Sequence, residues 1–129
     1  DWIQACLERY SVDGICATHT GIPWVRWVPQ GFWCNVGVLG RPAHEGKSHV
    51  YFAYLDFPLG APSPRPQLIP LSYDPVPVVA AMAQAGLPKE FQESLLTGIW
   101  TTCAEILPAA ERAVRSRLPV SQFRGTPSS

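Results

Sequence analysis

Residues 24–39 read WVRWVPQGFWCNVGVL. Two runs of β-branched and aromatic residues flank Pro29-Gln30-Gly31, which has the chemistry of a hairpin turn, so strands are predicted over 24–28 and 32–39. Similar runs at 15–19, 49–56 and 67–73 bring the number of predicted strands to about five. In 49–56 the series Val50, Phe52, Tyr54, Asp56 interleaves with His49, Tyr51, Ala53, Leu55, so both faces read as covered, as in a central strand. The 40–48 join is longer and polar. Regular short spacing predicts an antiparallel meander, because parallel neighbours need a crossover of about a dozen residues.

Helical periodicity lies on either side of this region. Trp2, Ile3, Cys6, Leu7 and Tyr10 form one stripe of a 3.6-residue repeat, with Asp1 at the positive end and Ser11-Val12-Asp13-Gly14 as the stop. Seven of the 14 prolines fall between Pro58 and Pro77. The segment FPLGAPSPRP at 57–66 cannot be a central strand and is predicted to be an exposed loop. A short helix is predicted over 76–85, ending at Gly86. A longer one is predicted over 88–107, where Phe91, Leu95, Ile99 and Cys103 recur every four residues. Residues 109–118 read as a further helix. The expected architecture is α+β: one antiparallel sheet of about five strands, with an N-terminal helix and two or three C-terminal helices packed on one face. Residues 1–118 form a single domain in this reading, and 119–129 a flexible C-terminal tail.

The composition agrees with one folded unit. The 129 residues are 47% hydrophobic and 16% charged, and ten basic residues balance ten acidic ones. A chain of this length buries roughly two-thirds of its unfolded surface without staples. Zero net charge supplies no field to gather nucleic acid or an anionic membrane, so neither is expected as a partner. No apolar run approaches the ~20 residues of a bilayer span. The expectation is a soluble, cytoplasmic protein.

Several chemistries have no motif here. Phosphate-cradling glycine loops, zinc His-Glu-x-x-His pairs and Gly-x-Ser-x-Gly elbows are all absent from the sequence, and no cofactor is expected. Four cysteines, Cys6, Cys16, Cys34 and Cys103, allow three disulfide connectivities or a fully reduced state. The reduced state is expected, because the core is large enough to stand without cross-links. Cys16, His19, Cys34 and His44 are ligand types that suit zinc, but their spacing matches no known site, and no metal is expected. Basic residues Arg112, Arg115, Arg117 and Arg124 follow the last acid, Glu111, and suit a helix C-terminus.

Two functional readings follow. The leading one is a non-catalytic binding module that recognises a protein partner or a largely apolar small ligand through an aromatic-rich sheet surface. Trp24, Trp27, Phe32 and Trp33 supply contact area, Arg26 supplies polarity, and Tyr51, Phe52, Tyr54 and Phe57 follow on a later strand. Trp24 and Trp27 are three apart, so a regular strand sends them to opposite faces. A homodimer through the same surface is a variant of this reading. The alternative is a small cysteine-dependent hydrolase or acyl-transfer enzyme, with Cys34 as nucleophile, His49 as base and Asp74 or Asp56 as the orienting acid.

Overall fold

A computed structural model describes residues 1–61 and 63–107. Helix α1 spans Trp2–Tyr10. Strands β1 (Gly14–Ala17), β2 (Trp24–Val28), β3 (Gly31–Asn35), β4 (Val50–Asp56) and β5 (Arg65–Leu71) follow. Helices α2 (Val76–Gln84) and α3 (Lys89–Thr97) and a 3₁₀ turn at Ala104–Ile106 complete the described chain. The mixed α+β class is the one expected. The helix expected over 109–118, the four arginines beyond Glu111 and the tail 119–129 lie outside the described residues.

The sheet differs from the expected one. The described residues form two sheets: three strands in the order β1-β3-β2, and a two-stranded ribbon of β4 and β5. β3 pairs antiparallel with β2 through the two-residue Pro29-Gln30 turn, but parallel with β1. The dozen-residue requirement for parallel neighbours is nevertheless met, because β2 itself serves as the crossover between β1 and β3. Residues 18–23 carry the chain past one strand position, leaving the slot that β3 fills. Hydrogen bonds hold that segment down: Val36 N–H donates to Ala17 O at 2.8 Å, and Thr18 Oγ1 donates to Gly37 O.

β4 is not a central strand. Among the described residues its only sheet neighbour is β5, in a register that sets Phe52 opposite Ile69 and Tyr54 opposite Gln67. Arg65–Leu71 is a strand despite Pro66 and Pro70. These two prolines share one pleat face, and among the described residues β5 has a sheet partner on one side alone. A ring nitrogen that needs no ladder partner is tolerated there.

Strand alternation assigns the faces of the three-stranded sheet. Trp33 and Asn35 share one face with Ile15, Ala17, Trp24 and Arg26; Phe32 and Cys34 share the other with Gly14, Cys16, Val25 and Trp27. α1 covers the first face. Asp1 caps it by accepting from Ile3 N–H at 2.9 Å, and Ile3 and Leu7 are fully buried. Trp2 meets Trp33 edge-on at 4.8 Å. On the second face the Phe32 ring lies over Gly14, where a Cβ would approach within 2.3 Å.

The helix expected over 88–107 ends at Thr97. Gly98 adopts a left-handed cap at φ 70°, and its amide donates to Ser94 O. The chain then turns inward, so that Trp100 packs in a small core with Ile22 and Leu107. Among the described residues no helix is long and apolar enough to cross a membrane.

Candidate functional site

The structure divides the aromatic band. Phe32 is 1% exposed and belongs to the core, with the Trp27 ring tilted against it at 5.3 Å. Trp24, Trp27 and Trp33 are half-buried, and Trp33 is occupied by Trp2. Arg26 is exposed and pairs with Asp1 at 2.5 Å. Trp33 thus braces α1 and Trp27 braces the sheet, each while still partly exposed.

A more open apolar surface lies on the ribbon. Phe52 is 41% exposed and Tyr54 57% exposed; they share a pleat face with half-buried Ile69 and exposed Leu71. Phe57 and Leu59, just beyond β4, are also in solvent. α2, with the sequence VPVVAAMAQ, buries none of its nine residues. It starts where Asp74 accepts from Val76 N–H at 3.0 Å and prolines occupy its first turn. Its neighbour α3 leaves Phe91 and Leu96 exposed as well. The sequence signal for α2 was legible in the absence of any polar side chain before Gln84. Phe52 and Tyr54 were recognised as part of an aromatic run, but the double-sided apolar pattern concealed that one face is open.

The acid–base candidates each have other partners. His49 Nε2 lies 2.5 Å from Glu45 Oε1, and the same oxygen accepts from Tyr51 O–H at 2.7 Å. Glu45 is buried, so one carboxylate holds an imidazole and a phenol where the 42–49 segment enters β4. Burial, with the Glu45 carboxylate as a second cause, pushes the Tyr51 phenol well above its usual range. Sequence reasoning missed Glu45 as the partner of His49, although their spacing of four is visible. Asp74 accepts from Val76 N–H just ahead of α2, and Asp56 sits opposite Arg65 at the far end of β4.

Cys34 is fully buried beside Cys16, its register partner on β1. Burial foremost, then the neighbouring Cys16, pushes the Cys34 thiol up to about 12. A thiol so placed stays protonated at neutral pH, the reverse of what a nucleophile requires. His44 accepts from Trp100 N–H at 2.8 Å, and His19 is exposed. Of the four metal-ligating residues weighed together, the sheet register joins Cys16 and Cys34. Among the described residues no three of His, Cys, Asp and Glu converge on a metal position.

The Cys34 shift has a measurable consequence. The folded chain keeps this proton to about 12, whereas an unfolded thiol releases it near 9.0. Its stabilising contribution is therefore complete below the unfolded value and is lost as pH rises from 9.0 towards 12. Under reducing conditions the melting temperature is expected to fall across that window, and less steeply in Cys34→Ala. Parallel pH profiles for the two proteins would remove Cys34 as the cause.

Comparison of the chain with family models, curated proteins and solved structures gives no match.

Proposed function

We propose that this chain is a binding module without chemistry of its own, docking a protein partner through apolar side chains that stand exposed among the described residues. The observation that carries the reading is α2: a helix with eight consecutive apolar positions and no buried residue. A helix apolar on all sides is ordinarily enclosed, and one left open on a folded domain marks a surface that another body covers. The open face of the β4–β5 ribbon adds aromatic rings of the kind enriched at interfaces. β2, which carries Trp24, Arg26 and Trp27, approaches β5 of the ribbon. Side chains exposed on a helix and on an open strand face suit a protein surface better than a small molecule, which binds in concave sites.

Two variants test this. Val78→Asp on α2 and Phe52→Asp on the ribbon place a charge on exposed positions, and each is expected to leave the melting temperature within a few degrees of wild type. Partners retained by immobilised wild-type protein after cross-linking should drop at least tenfold with one variant or both, since a buried unpaired charge at an interface costs more than ~1.4 kcal/mol. Sedimentation of the free chain identifies a second copy if it is the partner. Retention of the same partners by both variants, with unchanged sedimentation, overturns the reading.

A further inference from the structure

We propose that Cys16 and Cys34 form a dithiol that a small-molecule disulfide oxidises to an internal disulfide, fastening the edge strand β1 to the central strand β3. The two residues are direct partners in the parallel register, on the same face of the sheet. Neighbouring strands lie ~4.8 Å apart, within the Cα separation of about 4.4–6.8 Å that a disulfide spans. Among the described residues β1 is a four-residue edge strand with β3 as its one sheet partner, so less of the ladder opposes its adjustment than would oppose a central strand. Cys6 lies on α1 and Cys103 beyond α3, away from this register.

Exposure sets the order of events. Cys16 is open to solvent and Cys34 is fully enclosed. The Cys16 thiolate attacks one sulfur of a disulfide RSSR such as oxidised glutathione, forming the Cys16–S–SR bond and releasing RS⁻, which takes up a proton as RSH. Cys34 then attacks the Cys16 sulfur. The S–SR bond breaks, the second RS⁻ leaves with the Cys34 proton, and the sum is two protein thiols plus RSSR giving one protein disulfide plus two RSH. The protein is oxidised by two electrons and RSSR is reduced. Because Cys34 gives up its proton reluctantly, the second step is the slow one and quickens with rising pH.

The test treats native protein with oxidised glutathione, followed by acid quench, intact mass and non-reducing peptide mapping. Wild type is expected to lose two hydrogens and yield one cross-linked peptide pair joining Cys16 to Cys34. Cys34→Ala should halt at a glutathione adduct on Cys16, and Cys16→Ala should form no link to Cys34. Oxidised wild type should melt ~5–10 °C higher, because the closed loop restricts the unfolded chain. A wild-type adduct that persists on Cys16, or links that run to Cys6 or Cys103 instead, overturns the assignment. These readouts are chemical and do not depend on any partner, so they stand or fall separately from the docking surface.

Discussion

Gly98→Ala is expected to destabilise the fold by about 3–5 kcal/mol, a large share of the margin of a small domain. Two costs combine. The residue sits at φ 70°, where a side chain strains the backbone by roughly 1–2 kcal/mol. Its Cβ would also fall 2.1 Å from Lys47 O and 2.3 Å from Lys47 N, atoms of a backbone that cannot swing aside. The carbonyl of Gly98 accepts from Gly46 N–H at 3.2 Å, so moving the cap away breaks this link between the end of α3 and the loop before β4. Gly86 supplies an internal control. It has the same φ after α2, yet nothing stands within 4 Å of its Cβ position. Gly86→Ala should therefore cost only ~1 kcal/mol. Urea unfolding of both variants separates strain from collision, and equal losses would show that the approach to Lys47 carries no weight.

Trp100→Ala is expected to cost about 4–5 kcal/mol and to leave little folded protein. The indole is 5% exposed and its Nε1–H donates to Pro42 O at 2.7 Å. Its ring carries the Arg41 guanidinium at 3.9 Å from the centroid, and its backbone N–H donates to His44 Nδ1. Truncation opens a cavity beside Ile22 and leaves a carbonyl without its donor. Trp100→Phe keeps most of the apolar volume and loses only the N–H, so about 1–2 kcal/mol is expected. Thermal and urea melts followed by far-ultraviolet circular dichroism measure both. A Trp100→Ala protein within ~1 kcal/mol of wild type would mean that the segment after α3 contributes nothing to the fold.

These two residues also explain where sequence reading succeeds and where it stops. β2 occupies 24–28 as expected, because local propensity and the Pro29-Gln30 turn act within a few residues. The 88–107 helix failed at Gly98 because the apolar stripe continues through Ile99 and Trp100. Those side chains are apolar to fill a core with the 41–47 segment, and no periodicity distinguishes that from a helix face. β1 beside β3 was hidden for a related reason. Each strand is locally plain, while the order of strands depends on a crossover made by a third. The meeting of Cys16 and Cys34 follows from that order and shares its obscurity. For β4, apolar residues on both faces imply full cover if a strand is assumed to be central. The ribbon instead leaves Phe52 and Tyr54 open, and the docking proposal begins from that mismatch.

Pro66 and Pro70 have a consequence for behaviour at high concentration. A ribbon that carries exposed rings and an unpaired border is a template onto which further chains can add as strands, the first step towards fibrous aggregates. Each proline removes one amide hydrogen from the outer border of β5 and stiffens it against a matching register. The apolar face thus stays available for side-chain packing while growth of cross-β stacks along that border is obstructed, so the molecule can display stickiness without polymerising through it.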